Sequence, residues 1–420
     1  MSQLTWTGFA LFAIISFSVF SGLHYWVYRT FRNSLQKTKF NKTWVRRTIA
    51  TLFIVFDLPW LYFYLYRFTT YEADPAYVWF VRHIFAFWQT VLLFWIIVLL
   101  VYTPVKKLMQ LLKYAAKKFF KERIPAIPVE DKSRRRFIRL GSLGLSAYAL
   151  GTTAASVIDS DDYESDVKYI TIPNLPDAFK GFSIGFISDI HSGIYQDRAF
   201  MEKYAKLVNN LKCDMIVLPG DFINSLDREI YPFAEVFSSL HAPAGVFGCT
   251  GNHDYFANAD LICKESEQAG IKMLRNENIA IERNGQKIYL LGIDDIHVGK
   301  HEPQKYVETG KSEYIEAMLK GVPDDSTKIL LCHRPYPFEE FAQCNMDLML
   351  SGHTHGGQVV FANFGNWNAS FASLISKYIQ GHYRSEKNPR SQMYVSRGIG
   401  TVGVPIRVNC PPEVTKIVLA

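Results

Sequence analysis

From about residue 180 onward, short apolar runs alternate with abrupt polar stops. GFSIGFIS breaks at Asp189 and His191, DMIVLPG at Asp221, GVFGCTG at Asn252 and His253, KILLC at His333, and DLMLSG at His353 and His355. Short apolar runs bounded by Gly and Pro predict buried strands. Between them RAFMEKYAKLVNNLK and SEYIEAMLKGV carry helical spacing. In α/β sheets ligands collect just beyond the carboxyl ends of such strands. The five stops therefore predict one shared site.

The first part of the chain is patterned for a different solvent. Apolar stretches at about Trp6 to Tyr28, Ile49 to Tyr66 and Tyr77 to Tyr102, with Trp and Tyr near their ends, are each long enough to cross roughly 30 Å of hydrocarbon as helices. A fourth, Phe137 to Ile158, is richer in Gly, Ser and Ala and reads as a signal-type apolar segment. Residues 29 to 47 hold seven Lys or Arg and no acid, the next loop is acidic, and Lys106 to Arg136 is strongly basic again. Positive-inside ordering then predicts a multi-pass plasma-membrane protein with an outward N-terminus and an outward C-terminal domain. Ser133 to Arg139 (SRRRFIR) resembles a twin-arginine export motif, and as a plain basic flank it implies the same orientation. The stretch KKLMQLLKYAAKKFFKERIP predicts a helix from about Thr103 to Glu122, either along the inner leaflet or extending the third span.

Charge separates the two parts. Of 46 Lys and Arg, 21 lie in residues 1–158, against only 6 of the 39 Asp and Glu. The later residues are thus net acidic, which argues against a nucleic-acid partner, because a polyanion needs a positive surface. The lipid bilayer is the expected partner of the basic half. There is no C-x-x-C pair among the six cysteines. Cys213, Cys249 and Cys332 sit in apolar runs and predict buried thiols, while Cys263, Cys344 and Cys410 are open.

Carboxylates, imidazoles and one amide, without a thiolate pair, suit borderline divalent ions such as Mn, Fe, Zn or Co. Seven candidate ligands exceed what one closed site needs and suggest two metal ions sharing a carboxylate. Asp189-Ile190-His191, Gly220-Asp221, Gly251-Asn252-His253-Asp254, His333 and Gly352-His353-Thr354-His355, in that order, resemble the ordered blocks of the calcineurin-like metallophosphoesterase superfamily. Gly356-Gly357-Gln358 and the closing YVSRGIGTVGVPIRVNCPPEV resemble its bacterial YaeI/YkuE-type branch. The resemblance implies a four-layer α/β/β/α sandwich. It implies one metal on Asp189, His191, Asp221 and His355, and the other on Asp221, Asn252, His333 and His353, with Asp221 bridging. Metal coordination lowers the pKa of bound water toward roughly 7, supplying a nucleophile. His253 is expected to serve the leaving group, with Asp254 orienting or charge-stabilising it. Arg334 and Arg397 are candidates for phosphate contacts. Asp294, Asp295 and His297 also follow an apolar run and read as supporting or loop residues.

The domains expected are 1–128 with three membrane spans and basic loops, 129–160 with the export-like segment and fourth span, and 161–420 as the catalytic domain. The loop VVFANFGNWNASFASLISKYIQGHY carries Phe361, Phe364, Trp367 and Phe371. As core it says nothing; as an exposed lip it favours an amphiphilic substrate. The leading expectation is a membrane-anchored dinuclear phosphohydrolase acting on phosphoester or pyrophosphate bonds of lipid or lipid-linked envelope substrates. The alternatives are the same hydrolase on soluble phosphoesters, or a membrane sensor that binds metal or ligand without turnover.

Overall fold

Each of the five apolar runs forms a strand, and the candidate ligands follow within a few residues of its carboxyl end. The computed structural model describes residues 6–36, 38–66, 75–119, 144, 151, 164–295, 313–365, 367–403 and 405–420. The chain divides into two compact units, a helical one drawn from residues before 159 and an α/β one made mostly of residues from 159 onward.

The α/β unit holds two six-stranded sheets. The first runs β1 (Glu164–Ile170), β14 (Glu413–Leu419), β2 (Ser183–Phe186), β3 (Met215–Pro219), β4 (Val246–Cys249), β5 (Ile271–Met273). The second runs β12 (Gly381–Arg384), β13 (Gln392–Val395), β9 (Leu348–Ser351), β8 (Lys328–Leu331), β7 (Gln286–Gly292), β6 (Glu277–Arg283). β2, β3, β4 and β5 are mutually parallel, as are β7, β8, β9 and β13. The parallel arrangement brings the carboxyl ends of the key strands to one edge of each sheet.

The strands are continuously apolar because both faces are covered. Along β3, Met215 and Val217 point into a core shared with Ile329, Leu331, Leu348 and Leu350 of the second sheet. Ile216 and Leu218 point the other way, against Tyr204, Val208, Phe233 and Phe237 of the helices Arg198–Asn210 and Ile230–Phe237. On the second sheet Leu330, Met349 and Met393 meet Met318, Phe338 and Phe341. Helices, sheet, sheet and helices thus form the four-layer sandwich. Each fully buried Leu, Ile or Phe contributes roughly 1.5–3 kcal/mol of transfer free energy.

Along the chain before residue 159, α1 (Trp6–Leu35), α2 (Thr43–Tyr66), α3 (Pro75–Phe80), a π turn (Val81–Phe85) and α4 (Ala86–Phe119) follow one another. Val27, Leu92, Ile96 and Leu99 are buried among Trp26, Phe53, Trp88 and Trp95. Among the described residues one helix, spanning residues 76–112, is long and apolar enough to cross a membrane. The basic stretch continues α4 through Pro104 as far as Phe119. The export-like motif and the fourth apolar segment lie, apart from residues 144 and 151, outside the described residues. All six cysteines are free, and all but Cys344 are buried.

Candidate metal centre

The turns that follow the strands are strained where the chemistry sits. Asp189, His191, Asp221, His353 and His355 all have φ between 51° and 72°, a left-handed conformation that costs a non-glycine residue of order 1–3 kcal/mol. It is held by hydrogen bonds between the turns: Gly400 N to Asp189 O (2.7 Å) and His191 N to Asp221 O (3.0 Å), with His353 N donating to Asp189 Oδ1 (2.9 Å). Glycines let these turns close on one another. A Cβ on Gly352 would lie 2.1 Å from Asp189 Oδ2, and one on Gly251 would lie 2.3 Å from Asp221 Oδ1.

The closure gathers the candidate ligands. Asp189, His191 and His355 form one group whose donor atoms lie within 4.8 Å of one another, and Asp221, His333 and His353 form a second. Asp221 also joins His191 and His253 in a third group, so it stands between the two sets. Its Oδ2 is 3.1 Å from His333 Nε2 and 3.6 Å from His191 Nε2. His191 Nε2 is 3.0 Å from His355 Nε2. His333 donates through Nδ1 to the Pro219 carbonyl (2.9 Å), which turns Nε2 inward. Asn252 Oδ1 is buried without a hydrogen-bond partner among the described residues, as is His191 Nδ1.

Electrostatics follow from burial. Desolvation, then the neighbouring His253, pulls the His191 pKa well below the ordinary value. Desolvation and His333 do the same to His353, and desolvation brings His355 down to about 4. Burial works against ionising Asp221, yet His333, His253 and His191 hold it well below the carboxylate range. Against burial, the charge of Asp221 raises His333 to about 10, so three neutral imidazoles and one imidazolium surround Asp221, together with an orphaned amide oxygen. Such a convergence of lone pairs with few protons among them fits divalent cations.

The remaining candidates have specific partners. His253 Nδ1 lies 2.5 Å from the Asn224 carbonyl, which can only accept, so Nδ1 carries the proton. Asp254 is engaged by backbone amides. Its carboxylate accepts from the amides of Asp221 (3.1 Å), Phe222 (2.9 Å) and Gly251 (2.8 Å), so it binds the two ligand turns together, while the Asn224 carbonyl orients His253. Burial and the charge of Asp221 push Asp254 up to about 7. Arg334 donates through Nε to both oxygens of the buried Asp295 (2.8 and 3.2 Å). Arg397 donates through Nε to Glu413 (2.9 Å). Asp294 accepts from Arg275 Nε (3.0 Å) and pairs closely with Thr250, while His297 lies outside the described residues.

Sequence reasoning missed Asn224, Glu229 and Arg407. Arg407 is buried and donates to the carbonyls of Arg397 (2.7 Å) and Gly400 (2.6 Å), fixing the last loop against the centre. A lone arginine in VPIRVNC gives no local sign of burial, because the carbonyls that receive it are brought there by the fold.

The comparisons agree on this region. The description "Calcineurin-like phosphoesterase" matches residues 182–357. The chain is 30% identical over 256 residues to a "Transmembrane protein with metallophosphoesterase domain" of Danio rerio, covering 60% of this chain and 56% of that one. It is 31% identical to an uncharacterized metallophosphoesterase of Aquifex aeolicus (strain VF5), over 55% of this chain and 82% of that one. It is 28% identical to the uncharacterized metallophosphoesterase YkuE of Bacillus subtilis (strain 168), over 69% of this chain and 99% of that one. The chain spans only 46% to 56% of the length of the animal relatives it matches.

Proposed function

This chain belongs to the calcineurin-like metallophosphoesterases, and from that premise we propose that it is a membrane-anchored, dinuclear metal-dependent phosphohydrolase acting on phosphoester or pyrophosphate bonds of lipid or lipid-linked substrates. The observation that carries the hydrolase reading is the placement of Asp221 between two groups of inward-facing imidazoles. Asp189, His191, Asp221 and His355 would hold one cation, and Asp221, Asn252, His333 and His353 the other. Divalent ions there would supply Lewis-acid polarisation of a phosphoryl oxygen and generate a nucleophile from water near neutral pH. His253, its Nδ1 fixed by Asn224, presents Nε2 for proton delivery to the departing oxygen. Arg334, steadied by Asp295, offers cationic charge to the phosphoryl group. Arg334→Lys keeps the charge but loses the planar fork. We expect it to raise KM about ten-fold while changing kcat less; a kcat loss with unchanged KM would remove Arg334 from substrate binding.

The lipid reading has its own support. After the turn His355–Gly357, the hairpin β10 (Ala362–Phe364) and β11 (Trp367–Ala369) leads into a short helical turn. Phe364, Trp367 and Phe371 are about half exposed or more, and Leu374 and Ile375 about four-fifths exposed. This lip is fastened to the ligand turn, since Asn368 donates to the Gly356 carbonyl (2.7 Å). Contiguous exposed apolar side chains on a soluble face mark an interaction site, and a chain with a candidate membrane helix meets lipids at high effective concentration. The test uses the full chain in detergent, loaded with manganese, on bis-p-nitrophenyl phosphate and on phospholipid in mixed micelles. Turnover that needs metal supports the hydrolase, and stoichiometric metal without turnover on either substrate overturns it. The combined change Trp367→Ser, Leu374→Ser and Ile375→Ser is expected to lower micellar activity at least ten-fold and soluble-ester activity less than two-fold. Equal effects on both substrates would count against the lip.

A further inference from the structure

Glu229 lies outside every expected ligand or catalytic set, yet it is 1% exposed beside the centre. Its Oε2 accepts from Ser225 N at 2.7 Å and Leu226 N at 2.9 Å. Gly193, on the turn after His191, leaves room for its Oε1, since a Cβ there would lie 3.2 Å away. Ser192 Oγ donates to the Glu229 carbonyl at 2.7 Å, tying both turns to the residue. Burial pushes this carboxyl up to about 7 against the hydrogen bonds from Ser225 and Leu226. Its contribution to stability is therefore lost as pH rises from the ordinary glutamate range toward 7. An acid that weakens the fold at neutral pH needs a reason other than packing.

The peptide plane supplies that reason. The N–H of Ser225 and the C=O of Asn224 are opposite ends of one planar unit, and holding one end fixes the direction of the other. Glu229 grips the N–H end. The C=O end receives the His253 Nδ1 proton at 2.5 Å. We propose that Glu229 is a positioning residue that, by clamping the Asn224–Ser225 peptide, sets the tautomer and ring orientation of His253 and so its delivery of a proton to the leaving group.

The clamp differs from a plain structural role in what it changes. A group acting at the leaving oxygen matters when that oxygen departs as a basic alkoxide and little when it departs as p-nitrophenolate, which needs no proton. The kinetic arm rests on the hydrolase reading, and a spectroscopic arm does not. In full-length protein labelled with 15N-histidine, the His253 ring resonances, assigned by their loss in His253→Ala, should show the Nδ1–H tautomer. Glu229→Gln, which keeps one acceptor oxygen, and Glu229→Ala should shift that ring toward mixed tautomers, Ala further than Gln. In the same variants kcat on an alkyl phosphodiester should fall at least ten-fold and by five-fold or more beyond the fall on bis-p-nitrophenyl phosphate. KM and bound manganese should be unchanged. Adding Glu229→Ala to His253→Ala should cost nothing further on the alkyl ester. An unchanged His253 tautomer in folded Glu229→Gln and Glu229→Ala overturns the proposal, as does an equal loss on both esters. A tautomer shift in a chain without turnover leaves the clamp standing and sinks the hydrolase reading alone.

Discussion

Asp221→Asn is expected to lower phosphoester turnover by about three orders of magnitude or more and to reduce bound manganese from two ions per chain to one or none. The reasoning is electrostatic. Two dications about 4 Å apart repel by roughly 16 kcal/mol at an effective dielectric of about 20, so a site for two requires an anion between them. Asp221 is the carboxylate so placed, with Oδ2 3.1 Å from His333 Nε2 and 3.6 Å from His191 Nε2. Asparagine preserves shape and one oxygen but removes the charge. Its Oδ1 also accepts from His253 N at 2.8 Å, a bond the amide oxygen can keep, so the fold should survive. Metal analysis by mass spectrometry, beside circular dichroism as a folding control, checks this. Two tightly bound ions in the variant would show that another residue bridges them.

Gly251→Ala should be nearly as damaging, although it alters no ligand. The added Cβ would fall 2.3 Å from both Asp221 N and Asp221 Oδ1, inside any attainable contact, and its neighbours are backbone and the proposed bridge. Moving them strains a turn that Asp254 fastens through Gly251 N and Asp221 N. Overpacking of this kind costs about 1–3 kcal/mol, occasionally more. Displacing the support of a metal ligand costs about 10–100-fold in affinity or activity. We therefore expect turnover down about 100-fold with a lowered melting temperature. A control at Gly270, where a Cβ meets nothing within 4 Å, should change stability through its left-handed φ of 88° and leave turnover alone. Wild-type turnover in Gly251→Ala would mean that the turn can relax without moving Asp221.

Much of the catalytic half was legible before any coordinates because its strands are buried on both faces. That burial makes the strands continuous apolar runs, and Asp189, Asp221, His333 or His353 ending such a run stands out against them. Periodicity likewise revealed the helix at Arg198–Asn210, since one apolar face recurs at fixed spacing, and long apolar stretches revealed α1, α2 and α4. Hydropathy alone did not fix how many of the N-terminal helices can cross a bilayer. Among the described residues one helix, spanning residues 76–112, combines the length and the apolarity.

The supporting shell was unreadable for a different reason. Asn224 acts on a partner 29 residues away, and Glu229 and Arg407 act through backbone N–H and C=O groups that nearly every residue possesses, and such bonds leave no local composition to recognise. The amino-acid order by itself determined the strands, the residue types at their ends and hence the class of chemistry, because burial and ligand chemistry are properties of single side chains and their neighbours. Only the tertiary structure decided which imidazole nitrogen faces inward, that Asp254 accepts from the amides of both ligand turns, and that Phe364, Trp367, Phe371, Leu374 and Ile375 are exposed, because those depend on distances between segments brought together by folding.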